Sequence, residues 1–500
     1  MKGSRWVGEL PVGAVSASAY FRHVLHGLLL ASLASLTACT TPVHAPHQHV
    51  VLVNHDGQSL YTDLDGDCYR DKPRFLSPES ADDFKRHLAA ITNAVATCTN
   101  CLGPDGTRRI LIFVHGGLNT YQQSLARVNE TMQEASATNF FPLFINWDSG
   151  LISSYFEHLL WVRQGTVQRV WGPVTSPLYL LADLGRTLTR APVAWYYQLT
   201  SDLTTTARYE SPNFSRRAKL QALARHSASD HQPFLSIGSD ERTGASKLGY
   251  AASYAVTLPF KLVTGPLIDG LGKSAWDNMS RRTQTMFRFP EQFKRPNSTN
   301  ELTIARRRTG QAAQGAVAQL MQSLHDLVTN GPPNRYSITL IGHSMGTIVA
   351  NEIVRTQPDL PYADIVYMGA ACSVSDFEKS VVPYLKGATN AHFYNLTLHP
   401  VAEAREAQWS LLDITPRGSL LEWIDNFLST PRTVPERTLG KWDNVISTTA
   451  LIPRDVARRA RIRAFAVGPK DKMPPRTPLV HGQFSEEPFW EETFWTELQP

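Results

Sequence analysis

Five hundred residues exceed what one minimal core needs, so the chain is expected to fold as one large elaborated domain or as two. A hydrophobic content of 42% with 19% charged residues excludes an intrinsically disordered chain, and a net charge of only +5 gives no sign of a nucleic-acid-binding surface. The arginine clusters at 306–308 and 454–463 read as solvated faces. No glycine-rich phosphate loop, zinc-type Cys/His spacing or internal repeat stands out, so neither a metal nor another cofactor is expected.

Lys2, Arg5 and Arg22 precede an apolar run at 24–36, thirteen residues long, which suits a signal-peptide core better than a membrane span. The run closes on Leu36-Thr37-Ala38-Cys39, which resembles the lipobox of bacterial lipoproteins. The resemblance implies a signal peptide at 1–38, a diacylglycerol on the Cys39 thiol and a tether at 39–49 rich in Thr, Pro and His. An ordinary secretory signal with a chance cysteine is the alternative. Thr40 is not the aspartate that favours inner-membrane retention, so the expected location is the outer membrane, facing the periplasm.

Residues 50–53 and 59–64 flank Asp56-Gly57, a hairpin signal. Asp63, Asp65 and Asp67 superficially resemble a calcium loop, but the glycine is misplaced and the closing glutamate is missing. Phe84, Leu88, Ile91 and Val95 recur at helical spacing, predicting an amphipathic helix over 80–97. Export implies an oxidising compartment, where Cys68 is expected to bridge to Cys98 or Cys101; a redox pair within Cys98-Thr99-Asn100-Cys101 is the sharper alternative. Cys372 follows an apolar strand and is expected to be buried.

Short apolar runs at 110–114, 141–146, 337–341, 365–368, 393–398 and 462–467 suit strands buried on both faces. Helical segments such as 311–329 and 347–356 alternate with them, which predicts an α/β fold with a mostly parallel central sheet flanked by helices. About 190 residues separate the second run from the third, where one crossover helix would suffice. The excess, 149–305, is expected to be a large helical insertion between the fourth and fifth core strands, either a lid over the site or a structural extension. It would divide the core into a first half at 50–148 and a second at 306–500. Lys261, Pro259 and Pro266 interrupt its second apolar stretch, 248–271, and argue against a transmembrane helix.

The run 337–341 leads directly into Gly342-His343-Ser344-Met345-Gly346 and then a helical segment. Strand, tight turn and helix give this G-x-S-x-G its meaning, because the turn presents Ser344 Oγ at the sheet end and the helix start faces the charge that develops there. His115-Gly116-Gly117-Leu118 follows the first core strand, so the amides of Gly117 or Leu118, with that of Met345, are candidates for an oxyanion hole. A general base belongs after the last strand, where Leu479-Val480-His481-Gly482 lies; His399 is its competitor. The acid is open: Glu403 is favoured and Asp376 is the alternative, with Glu406, Asp413 and Asp425 admissible only if their loop folds back.

Together His115-Gly116-Gly117, Gly342-His343-Ser344-Met345-Gly346 and His481-Gly482 resemble the α/β-hydrolase superfamily over residues 105–490, and the serine motif looks like that of esterases, lipases and thioesterases. The resemblance implies an eight-stranded, mainly parallel sheet, no metal, and an acyl-enzyme mechanism on a carboxylic ester. An aromatic-rich insertion and a lipid anchor point to an ester or lipid-like substrate with an apolar acyl chain, and to the membrane as the one expected partner. Acyl transfer on the same core, and a catalytically inactive, lipid-anchored envelope interaction protein, are the competing expectations.

Overall fold

The computed structural model describes residues 47–62, 77–117, 119, 121–163, 166–168, 170–209, 235–237, 244–288, 314–331, 335–406, 411–448, 452–465 and 476–496. Cys39, Cys68, Leu118 and the aspartates at 63, 65 and 67 lie outside them.

Strands β1 (Val50–Val53) and β2 (Ser59–Leu60) pair antiparallel around the Asp56-Gly57 turn. Asn54 builds that turn, its side-chain oxygen accepting from the amides of Asp56 and Gln58 at 2.9 Å each. The expected amphipathic helix is α1 (Ala81–Thr97), capped by Ser80, with Phe84, Leu88, Ile91 and Val95 buried. Then follow β3 (Arg108–Val114), α2 (Tyr121–Ser136) and β4 (Phe141–Trp147). Beyond β4 the chain forms α3 (Leu151–Leu160), a ribbon of β5 (Val162–Arg163) and β6 (Thr166–Val167), α4 (Trp171–Tyr209), β7 (Leu235–Ile237) and α5 (Gly244–Thr285). Next come α6 (Ala316–Thr329), β8 (Tyr336–His343), α7 (Gly346–Thr356), β9 (Tyr362–Met368) and α8 (Val374–Gly387). The described core closes with β10 (His392–Leu398), α9 (Pro400–Arg405) and β11 (Ala460–Phe465).

These strands make one nine-stranded sheet in the order β2-β1-β4-β3-β8-β9-β10-β11-β7, parallel throughout except between β1 and β2. All seven residues of β4 are buried, as expected of a parallel sheet covered by helices. Each apolar run of the sequence became a strand, because in such a sheet both side-chain faces must be apolar. The three residues of β7 did not announce themselves. They lie within the stretch expected to be helical, yet pair with Ile462–Ala464 at the sheet edge, so that stretch contributes a strand as well as α3, α4 and α5.

Register matters for the site. Gly342 lies opposite both Val114 and Tyr367, and Met368 opposite Leu396. The carboxyl ends of β3, β8, β9 and β10 are therefore level, and the loops at 115–117, 344–346 and 369–372 leave the sheet along one edge. Cys98 and Cys101 form a disulfide with each other, at a Cα–Cα distance of 5.8 Å, in place of the favoured bridge to Cys68. The turn that ends α1 brings them together. Cys372 is buried as a free thiol.

Candidate active site

Ser344 stands between β8 and α7 with φ +50°, a left-handed conformation uncommon for a residue with a side chain. Its neighbours hold it there. The Ser344 amide donates to Met368 O at 2.9 Å, and its carbonyl accepts from the amides of Ala371 and Thr347 at 3.1 Å each. The motif glycines make this possible by close approach: a Cβ on Gly346 would sit 2.2 Å from Val114 O, inside the β3 backbone. The start of α7 is thus pressed onto the end of β3.

The loop after β3 is built around His115, whose ring stacks on Trp147 with centroids 4.2 Å apart. Its Nδ1 lies 2.5 Å from Gly116 O, and its Nε2 lies 2.8 Å from the Trp147 amide nitrogen and 2.9 Å from the Trp147 carbonyl; burial pulls its pKa down to about 3. Ser149 Oγ also donates to Gly116 O, at 3.1 Å. Because a trans peptide is planar, a carbonyl held on that side sends the Gly117 N–H to the other. A Cβ on Gly117 would come within 3.0 Å of Met345 Sδ, so the Met345 side chain packs against Gly117. The Met345 amide precedes the first hydrogen-bonded turn of α7 and has no carbonyl to meet within that helix.

His481 opens a short 3₁₀ turn, His481–Ser485. Its amide donates to Glu406 Oε2 at 2.9 Å, and its carbonyl accepts from His343 Nε2 at 3.2 Å. Its imidazole lies on Gly369, where a Cβ would be 2.8 Å from Cε1 and 2.9 Å from Nδ1. Gly369 is the residue after Met368, which binds the Ser344 amide, so residues 137 positions apart in the chain share one corner of the sheet. Their functional groups do not hydrogen-bond: neither Ser344 Oγ nor either ring nitrogen of His481 has a partner among the described residues. The site is closed, with Ser344 1% and His481 5% exposed. Burial, reinforced by the neighbouring His343, holds His481 at about 3 and therefore neutral.

The carboxylate that meets His481 is not the one expected. Glu403, the favoured residue, is fully buried, and its Oε2 accepts from Ser419 rather than from His481; burial raises its pKa well above the usual carboxylate range. Asp376 accepts from Asn351 at 2.7 Å and pairs with Arg355. Asp413 is taken by Lys261 and Arg417, and Asp425 by Thr438 and Asn444. Glu406 alone among the five hydrogen-bonds His481, from the position that ends α9. Burial pushes Glu406 up to about 7. The competing base, His399, caps α9 by accepting from the Val401 amide.

Sequence reasoning passed over His343. Buried, with its pKa drawn down to about 4 by desolvation, it ties the serine strand to the His481 turn; its position beside Ser344 was the available signal. A cavity of about 690 Å³, which neither Ser344 nor His481 lines, lies beside the loop that binds the Ser344 carbonyl and is bounded by Trp276 of α5, Ile348 of α7, and Ala371 and Cys372. Its charged lining is mixed: Arg355 is paired with Glu352 and Asp376, and Arg288 and Glu436 complete it. Among the described residues, metal-type donors gather at His47, Glu79 and His87, on α1 and the segments before it, apart from the elements that carry Ser344. There His87 is engaged by Glu79 at 3.2 Å and by the carbonyl of His47 at 2.8 Å.

Comparison with family models, curated proteins and solved structures found no match for the chain.

Proposed function

We propose that the chain is a serine hydrolase of the α/β-hydrolase type, acting on carboxylic esters with an apolar acyl chain and held at the outer membrane, facing the periplasm, by a lipid on Cys39. One observation carries the catalytic part: a serine at φ +50° on the middle strand of the sheet lies one loop from the imidazole of a histidine 137 residues later. Strain at a serine is retained when the surroundings enforce it, and such positions concentrate at working sites.

In this mechanism His481, neutral where it lies, takes the Ser344 proton as Oγ attacks the ester carbonyl. The Gly117 and Met345 amides receive the oxyanion, aided by the positive end of α7. The alcohol leaves with the proton from His481. Water, deprotonated by the same imidazole, then attacks the acyl-enzyme and frees the acid. Closing the 344–481 gap requires the His481 ring to turn off Gly369, and Glu406, which already binds its amide, is the carboxylate placed to orient it.

A fluorophosphonate probe tests this: the wild type should be labelled and Ser344→Ala should not. An unlabelled wild type would favour the second reading, an inactive envelope interaction protein, to which the near-complete burial of Ser344 lends support. Lipidation is checked separately, by incorporation of an alkynyl fatty acid that Cys39→Ala should abolish.

A further inference from the structure

A helix on the surface of a water-soluble domain turns its polar side to solvent and its apolar side to the core. The α4–α5 pair does the reverse. Between Trp171 and Leu199 no exposed residue is charged; the outward positions include Trp171, Val174, Leu178, Leu181 and Leu188, the last 76% exposed. Along α5 the same side shows Val256, Phe260 and Val263, again with no exposed charge from 252 to 276. Of the 21 large hydrophobic residues that are exposed among those described, 19 belong to α3, α4, α5 and the turns joining α3 to α4. So the apolar surface is one region and not scatter.

The charges face inward. Arg186 and Arg190 of α4 reach Asp269 of α5 at 3.0 and 2.8 Å, and Asp269 is fully buried. Asp183 accepts from Ser274 at 2.8 Å and from Tyr155 at 3.2 Å, and the buried Lys261 pairs with Asp413 at 2.7 Å. Polar groups paired inside and hydrocarbon outside is the arrangement that an apolar solvent demands.

We infer that the outer face of the α4–α5 pair lies in a lipid leaflet, with the helix axes in the membrane plane. Trp171 at one end and Trp195 and Tyr196 toward the other bracket the leucine and valine block, and these amphipathic rings favour the headgroup boundary. From Trp171 to Leu199 the helix runs about 42 Å, more than the roughly 30 Å of bilayer hydrocarbon. Among the described residues no helix is long and apolar enough to cross a membrane, so immersion of one face is the fitting mode. The lipid proposed on Cys39 would bring the chain to the same surface. Met279, near the far end of α5, lies within 3.3 Å of where a Gly117 Cβ would be, so the immersed pair reaches the Ser344 loops. The inference rests on the helix surface, not on the hydrolase reading.

The test uses the full chain reconstituted in phosphatidylethanolamine–phosphatidylglycerol vesicles, with and without bromine on the acyl chains. Brominated chains should quench tryptophan emission, and Trp171→Phe/Trp195→Phe should cut the quenching at least twofold. Leu178→Glu/Leu181→Glu/Leu188→Glu should cut it similarly while retaining cooperative melting. Quenching absent in the parent, or equal in parent and the conservative Trp→Phe variant, overturns the proposal. So does disulfide crosslinking between copies through Leu181→Cys in the vesicles, which would show a second copy covering the face. Because probe labelling of Ser344 plays no part, failure of the hydrolase reading leaves this test intact.

Discussion

At Ser344 a side chain is kept where glycine would be more comfortable. Left-handed non-glycine residues cost about 1–3 kcal/mol, so Ser344→Gly is expected to raise stability by about 1 kcal/mol in urea unfolding while abolishing probe labelling. No gain would mean that the surrounding hydrogen bonds, not the side chain, set the strain. Glu406 offers a second test. Its folded pKa, about 7, exceeds the unfolded value, so folding takes up a proton between pH 4.5 and 7. Its contribution is fully present below pH 4.5 and is lost as pH rises through 7. Glu406→Gln keeps an acceptor for the His481 amide and removes the titration. The variant should therefore gain on wild type by about 2–3 kcal/mol between pH 5 and pH 8. A pH-independent difference would show that Glu406 is solvated.

Elements act here through their ends. The level carboxyl ends of β3, β8 and β9 leave so little space that glycine is required where the loops cross. Gly369 combines φ +52° with the His481 ring 2.8 Å from its missing Cβ. Gly369→Ala should cost about 1–3 kcal/mol and displace the imidazole, slowing fluorophosphonate labelling at least tenfold; an unchanged rate would detach His481 from the reaction. Away from these loops, beside β2, Ser80 caps α1 by accepting from the Asp83 amide at 3.2 Å. Ser80→Ala should lower stability by about 1 kcal/mol with no effect on labelling, and so provides the control for purely structural loss.

At the scale of the molecule, three neutral histidines, His115, His343 and His481, are sealed around one sheet corner, all with lowered pKa values. Below pH 6.5 the unfolded chain binds protons that the folded one refuses, so each histidine removes stability as pH falls towards its folded pKa. The raised Glu403 and Glu406 work in the opposite sense, which masks the effect in the wild type alone. The difference between variants exposes it. Going from pH 7 to pH 5, His343→Gln should lose about 2 kcal/mol less than wild type by urea midpoint. Equal losses would mean that His343 is protonated in the fold.

The sequence by itself determined the α/β class, the leading hairpin, six further strands, the amphipathic α1 and the elbow at Ser344, because each is written in a few adjacent residues. It also singled out His481, through chain order rather than local pattern. Tertiary structure alone decided which carboxylate meets His481, the Cys98–Cys101 pairing, the edge strand β7 and the outward-facing leucines of α4. Glu406 and His481 are 75 residues apart, and nothing in the local sequence distinguishes Glu406 from Glu403. Likewise, a helical repeat tells which residues share a face, but only packing shows whether that face looks in or out.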